Sequence, residues 1–66
     1  MAVARVSKIT ASSPSGFQQA LEEGMKRAAK TLRGITGVEV ISQKCKVERG
    51  KITEYRVSME VTFILD

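Results

Sequence analysis

The chain has almost no means of stabilising a small fold through covalent or metal cross-links. Its 66 residues include one cysteine, Cys45, and no histidine, which excludes an internal disulfide and an ordinary zinc site. A chain of this length buries only about 60% of the surface that its unfolded form exposes, so a lone monomer is marginal. Oligomerisation is therefore the expected source of stability.

The same residue counts argue against an enzyme. Without histidine, the Ser-His-Asp and Cys-His types of nucleophilic catalysis are excluded, and the sequence contains no recognisable phosphate-binding loop. Glu39 and Glu60 could suggest glycoside hydrolysis, but a chain this short offers no obvious cleft for a sugar. We therefore expect a protein that is not an enzyme.

Composition and charge indicate a protein of the cytoplasm. The chain is 42% hydrophobic and 27% charged, which is too apolar for disorder and too charged for a membrane span. No apolar run approaches the roughly 18 residues of a transmembrane helix, and Arg5 and Lys8 interrupt the region where a signal peptide would be apolar. The net charge of +4 permits an anionic partner without requiring one.

Hydrophobic periodicity predicts a single β-α-β-β domain over residues 1–66. A strand is expected at 3–10, followed by a helix at 17–32 with a capping box formed by Ser15 and Gln18 and a C′ stop at Gly34. A long hairpin at 38–47 and 52–65 follows, with its turn at 48–51. The predicted buried stripe of the helix comprises Phe17, Ala20, Leu21, Met25, Ala28, Ala29 and Leu32.

The hairpin register follows if Glu48 pairs with Lys51. Val38 then lies opposite Val61, Val40 opposite Met59 and Ser42 opposite Val57. The helix-facing side of the sheet is predicted to comprise Val38, Val40, Tyr55, Val57, Met59, Val61, Phe63 and Leu65. The opposite side comprises Glu39, Ile41, Gln43, Cys45, Val47, Ile52, Glu54, Arg56, Ser58, Glu60, Thr62 and Ile64.

These elements predict an α+β fold, a three-stranded antiparallel sheet packed on one helix. A helical crossover favours parallel first and second strands, with the third strand between them. The predicted core pairs Phe17, Leu21, Met25, Ala28 and Leu32 with Val40, Val57, Met59, Val61 and Phe63. A fourteen-residue strand spans about 45 Å, whereas a compact globule of this size is about 28 Å across. The hairpin should therefore overhang the helix and require cover from another subunit.

Over nearly its whole length the sequence resembles the dodecins, a family of very small β-α-β-β proteins. The matching segments are residues 12–17 (SSPSGF), 27–33 (RAAKTLR), 38–40 (VEV), Gly50-Lys51 and 55–63 (YRVSMEVTF). Their order and spacing carry the resemblance. It implies a hollow homo-dodecamer that binds flavin, with storage or sequestration of a ligand as its role.

Two positions depart from the flavin-binding members of the family. Gly37 stands where those members have a tryptophan that stacks on the isoalloxazine ring, and Arg56 stands where they have a glutamine that hydrogen-bonds the ring. Glycine offers no aromatic face, and arginine has donors only. The sequence therefore resembles the dodecins that lack the tryptophan, in which flavin binding is expected to be weak or absent.

Several other interpretations remain open. Arg56 is expected to pair with a carboxylate across a strand or subunit boundary, or else to face a ligand. Glu39 and Glu60 are predicted to lie directly opposite each other and to need a cation, either a Lys or Arg or a metal such as Ca²⁺. Cys45 is expected to be a small interface residue. One alternative to the shell protein is binding of nucleic acid through the basic helix residues Lys26, Arg27, Lys30 and Arg33. The excess of basic residues also permits binding of an anionic nucleotide or CoA.

Overall fold

The order of helix and strands is as predicted. The structure, a computed structural model that describes residues 3–65, contains β1 (Val3–Ser13), α1 (Phe17–Thr31), β2 (Ile35–Glu48) and β3 (Lys51–Leu65). The strands form one sheet in the order β1-β3-β2, and both outer strands run antiparallel to β3. This confirms the α+β, β-α-β-β architecture.

The first strand is longer than its sequence pattern indicated. It continues three residues past Thr10, because Ala11, Ser12 and Ser13 also pair with β3. The strand ends at Pro14, which has no backbone N–H to donate to the sheet. The Ser13 hydroxyl accepts a hydrogen bond from the backbone N–H of Ser15 at 3.0 Å, and this contact fixes the turn into the helix.

The predicted capping box at the start of α1 is wrong. The N-cap residue is Gly16, without a side-chain cap, and its carbonyl accepts the backbone N–H of Ala20 at 3.1 Å. Gln18 instead donates to the Glu22 carboxylate one turn along the helix, at 3.2 Å. Because a Gln–Glu pair spaced i,i+4 lies on one helix face, Gln18 points along the helix rather than back to Ser15.

The helix also ends before the predicted glycine stop. The C-cap is Leu32 in extended conformation, and its backbone N–H reaches the Ala28 carbonyl at 2.8 Å. Leu32 leaves the helix there and packs against the core. Gly34 lies two residues further on with φ 73°, and its carbonyl accepts the backbone N–H of Ile64 at 3.0 Å. It therefore turns the chain into β2.

The hairpin register is as predicted at both ends and wrong in the middle. Arg49 and Gly50 form a two-residue turn with φ values of 54° and 76°, the left-handed pair that a type I′ turn requires. Val38 lies opposite Val61, and Glu48 opposite Lys51, as expected. Between these ends the register is shifted by one residue, so that Ser42 pairs with Ser58 rather than with Val57.

Two compensating bulges cause this shift. Ile41 is the extra residue on β2, and Thr53 is the extra residue on β3 that restores the register before the turn. Since a slip of one residue exchanges the two faces of a strand, Gln43 and Cys45 lie on the helix-facing side, opposite Val57 and Tyr55. Val47, which follows Lys46 in the regular alternation of β2, joins them there, as does its partner Ile52.

The bulges also move two lysines away from the apolar face. An unbulged hairpin would place Lys44 and Lys46 beneath the helix, whereas the observed register pairs them with Arg56 and Glu54 on the opposite face. We call that opposite face of the sheet the outer face. The shifted register therefore leaves Gln43, Cys45 and Val47, and not these lysines, on the helix-facing side.

The core lies between α1 and the central strand. Met59, Val57 and Val61 are fully buried against Ala20, as predicted. Phe63 of the predicted core is only half-buried, and Ala29 of the predicted helix stripe is exposed. Val40 was predicted in this core but is 39% exposed, because α1 packs on β1 and β3 and hardly touches β2. Residues of β1 take its place, namely Ile9 and Ala11.

The sheet is much longer than the helix that covers it. The described chain measures 52 × 19 × 13 Å, whereas a helix of 15 residues is about 22 Å long. This confirms that the hairpin overhangs the helix. The exposed large apolar residues are Val3, Val6, Val38, Val40, Ile41, Val47, Ile52 and Leu65.

Candidate functional site

The two positions of the predicted flavin site share the outer face but lie far apart in one chain. Gly37 pairs with Thr62, and Arg56 pairs with Lys44. Six residues of β3 separate these pairs, which is roughly 20 Å. A single chain therefore does not bring Gly37 and Arg56 onto one small ligand.

Gly37 leaves open space on this face. A Cβ built at this position would meet no atom within 4 Å, and the backbone there is not in the left-handed region that favours glycine. The position can therefore accept a Cβ atom without a clash inside its own chain.

Within its own chain Arg56 has a carboxylate partner on the same strand, not across a strand boundary. Its Nη2 donates to Oε1 of Glu54 at 2.9 Å, and Glu54 lies two residues earlier on the same strand and the same face. This hydrogen bond is the main reason that the pKa of Glu54 lies below its usual value. Desolvation opposes the effect, while the charge of Arg56 and a hydrogen bond from Ser12 add to it.

A cluster of three basic residues surrounds this pair. Lys44 lies directly opposite Arg56, and Lys46 lies opposite Glu54. With Cys45 these three basic residues line a shallow cavity of about 330 Å³. We call Lys44, Lys46 and Arg56 the hairpin basic cluster.

The sequence of β2 contains a signal for this cluster, a change in its apolar alternation, which the predicted regular register did not take into account. Apolar residues occupy the even positions Val38 and Val40 and then the odd positions Ile41, Cys45 and Val47, while Lys44 and Lys46 take even positions. A change of phase in the alternation of one strand is what a β-bulge produces.

The carboxylates of Glu39 and Glu60 belong to adjacent strands, as predicted. The two residues are direct cross-strand partners on the outer face, and Lys8 of β1 lies on the other side of Glu60. Lys8 thus supplies a positive charge in the same row of the sheet. Across residues 3–65, no group of three or more Cys, Asp or Glu side chains comes together in a way that could hold a metal ion.

Two further cavities flank the helix. One, of about 450 Å³, lies between α1 and β1 beside Glu23, Gly24 and Arg27. The other, of about 320 Å³, lies where α1 leaves β2 uncovered, between Leu21 and Val40. Val40, which lines the second cavity, is one of the exposed apolar residues of β2.

The basic helix residues form an exposed surface without aromatic neighbours on it. Lys26, Arg27, Lys30 and Arg33 are all exposed. Phe17 and Tyr55 pack edge to face below the helix with ring centroids 5.1 Å apart. These two rings therefore pack on each other between the helix and the sheet, away from the basic helix residues. The helix α1 is also not long and apolar enough to cross a bilayer, as judged over the same residues.

Comparisons with known proteins agree with the fold. The chain is 39% identical over 64 residues to a protein of Mycobacterium tuberculosis named calcium dodecin, covering 96% of this chain and 89% of that protein. A dodecin from Streptomyces davaonensis superposes with a TM-score of 0.93 at 35% identity, covering 98% and 96% of the two chains. The crystal structure of the M. tuberculosis protein, described as calcium chelating with a novel calcium-binding site, gives a TM-score of 0.84 at 35% identity, covering 97% and 91%.

The match to a family model decides the assignment. The model of the dodecin family covers residues 3–66, almost the whole sequence, and it includes the strands that carry Gly37, Glu39, Arg56 and Glu60. The chain belongs to the dodecin family.

Proposed function

We propose that this protein is a non-enzymatic, single-domain dodecin of the cytoplasm that assembles as a hollow homo-dodecamer and holds a small ligand. The observation that carries the proposal is the mismatch between a 52 Å chain and a helix of about 22 Å. The overhanging hairpin and the apolar surface of β2 need cover that one copy cannot provide. The expected partner is therefore the protein itself.

The arrangement of the outer face also supports a ligand shared between copies. Gly37 and Arg56 lie on this face about 20 Å apart in one chain, so a ligand that touches both positions must lie between chains. Such a site exists only in the assembly, which links ligand binding to oligomerisation.

Flavin binding at these positions is proposed to be weak or absent. Gly37 has no side chain to stack on an isoalloxazine ring, and each lost aromatic contact costs about 1–3 kcal/mol, or roughly tenfold to a hundredfold in affinity. Arg56 is engaged by Glu54 and presents only donors. The protein as purified should therefore be colourless, and titrated riboflavin should keep its fluorescence.

The test restores the missing groups. The double variant Gly37→Trp with Arg56→Gln should regain riboflavin quenching, because the space above Gly37 is open. Gly37→Phe with Arg56→Gln is the matched control for the size of the aromatic ring. Yellow wild-type protein, or sub-micromolar quenching of riboflavin by it, would contradict the proposal. Native mass spectrometry of each variant shows separately whether the shell is intact.

A second candidate function is binding of a divalent cation at the outer face. Glu39 and Glu60 are direct cross-strand partners, carboxylates are preferred calcium ligands, and a relative is named calcium dodecin. Symmetry in an assembly would bring further copies of this pair together. Calorimetric titration with Ca²⁺ tests it. Glu60→Gln should abolish any heat of binding that Glu22→Gln, on the helix, leaves unchanged.

A further inference from the structure

The exposed surface of α1 is acidic in its first half and basic in its second half. The acidic residues are Glu22 and Glu23, and both are exposed. The basic residues are also exposed, and they are Lys26, Arg27, Lys30 and, directly after the C-cap, Arg33. We call these four residues the helix basic row.

The charge of this row is not neutralised within the chain. No member of the row forms an ion pair with a residue of the segment 3–65. Glu22 lies one turn before Lys26, at a spacing that allows an ion pair, but its carboxylate accepts a hydrogen bond from Gln18 at 3.2 Å instead. The row is therefore a set of solvated cations that are free to meet an anion.

The helix dipole explains only part of the row. A dipole favours cations within the last turn of a helix, and that turn contains Lys30. Lys26 and Arg27 precede it, beyond the range of this effect. Their presence therefore extends the basic surface further than the stability of the helix requires.

The geometry of the row suits a chain of regularly spaced anions. Lys26 and Lys30 are one turn apart, on the side of α1 opposite its buried residues Ala20, Gly24 and Ala28. Seven residues separate Lys26 from Arg33, a length of about 10 Å at helical rise. One strand of duplex DNA advances about 3.4 Å per phosphate along its axis. A row of this length therefore reaches about two to three phosphates.

The row lies on a surface that assembly does not require to be covered. The surfaces that lack cover in one copy are the overhanging hairpin and the apolar part of β2, whereas this side of α1 is charged. Symmetry repeats the row on each copy of a shell. A long polyanion can then contact several copies at once, and each further contact is intramolecular.

We propose that the helix basic row binds the phosphate backbone of double-stranded DNA without reading its sequence. Contacts from Lys and Arg to phosphates supply affinity that does not depend on the bases. An anionic membrane fits this surface less well, because a helix lying flat on it would also bring Glu22 and Glu23 against negative charge. The apolar stripe of α1 packs on the sheet and is not available for insertion into lipid. This activity goes beyond the proposed holding of a small ligand.

The test is fluorescence anisotropy of a labelled duplex of about 30 base pairs with the assembled protein, at about 50 and 200 mM KCl. Contacts to about three phosphates should weaken binding about fortyfold between these two salt concentrations. Lys26→Gln with Lys30→Gln should weaken binding about tenfold or more at the lower salt concentration and make the salt dependence shallower, by a slope of about 1.8. Arg49→Gln with Lys51→Gln removes the same charge from the exposed turn and should leave both quantities unchanged.

The remaining outcomes overturn the proposal. Equal weakening by the two double variants would show attraction by net charge only. Strong preference for one of two duplexes of unrelated sequence would show that bases are read. Binding to phosphatidylglycerol vesicles without binding to the duplex would assign the row to a lipid surface. Failure of the duplex to bind at low salt to an assembly that native mass spectrometry shows to be intact would refute the DNA site and leave the proposed shell standing.

Discussion

The face assignment of β3 can be tested with one buried charge. Met59 is 0% exposed, and Val57, Val61 and Ala20 join it in an entirely apolar cluster. Met59→Asp would place a carboxyl where none of these core residues can donate a hydrogen bond or pair its charge. An ionised carboxylate is not tolerated in such a place, so the new side chain must take up a proton to be buried.

The cost can be worked out from two parts. Holding an aspartic acid neutral at pH 7 costs about 4 kcal/mol, because its ordinary pKa is near 3.9. Loss of the buried methionine removes roughly 2 kcal/mol of hydrophobic stabilisation. The total of about 6 kcal/mol compares with a whole stability of roughly 3–10 kcal/mol for a chain of this length. Met59→Asp should therefore leave no soluble folded protein.

Controls keep the experiment interpretable. Ser58→Asp introduces the same group one residue away on the outer face, where Ser58 meets the Thr10 hydroxyl at 3.2 Å, and should remain soluble and assembled. Met59→Leu conserves volume and should cost less than about 1.5 kcal/mol, whereas Met59→Ala should cost about 2–5 kcal/mol. Urea midpoints at equal protein concentration measure both, since assembly makes stability concentration-dependent. Soluble, assembled Met59→Asp together with insoluble Ser58→Asp would show the faces to be reversed.

Three further predictions concern assembly, titration and the turn. Light scattering at micromolar concentration should give a mass far above a dimer and near twelve chains, and a mass near the 7.2 kDa of one chain would refute the proposed shell. Arg56→Gln should raise the pKa of Glu54 in an NMR titration. The hydrogen bond from Arg56 holds the folded-state pKa of Glu54 low. The stability that this pair contributes is therefore present at neutral pH and is lost as the pH falls through the folded-state pKa of Glu54. An unchanged pKa of Glu54 in Arg56→Gln would mean that the hydrogen bond is absent. Arg49→Gly should stabilise the protein by about 1 kcal/mol by removing a side chain at positive φ, and an unchanged or lower urea midpoint would contradict this.

The sequence pattern was sufficient for the parts of the fold that rest on regular periodicity. The helix stripe around Leu21 and Met25, the central position of β3 and the burial of Met59 follow from spacings of 3.6 and 2 residues. The ends of the hairpin were also correct, because a two-residue turn at Arg49 and Gly50 fixes the pairing next to it.

The middle of the hairpin could not be placed by the same reasoning. One bulge at Ile41 and a second at Thr53 cancel by the turn, so both ends agree with a regular register that fails between them. This error put Lys44 on the wrong face and concealed its pairing with Arg56. The start of α1 failed for a different reason: the helix begins one residue later than the capping box assumed, after Gly16, which has no side chain to form a cap.

The strand order has a consequence for how the chain acquires its structure. The central strand β3 is the last to be synthesised, and both of its neighbours depend on it for every pairing in the sheet. Val3 meets Leu65, so nearly the whole chain must close before the first strand has a partner. Such long-range closure is slow, and until it occurs β1 and the facing edge of β3 remain available to neighbouring nascent chains. Rapid capture of β3 by its own β1 therefore favours folding of newly made protein over its aggregation.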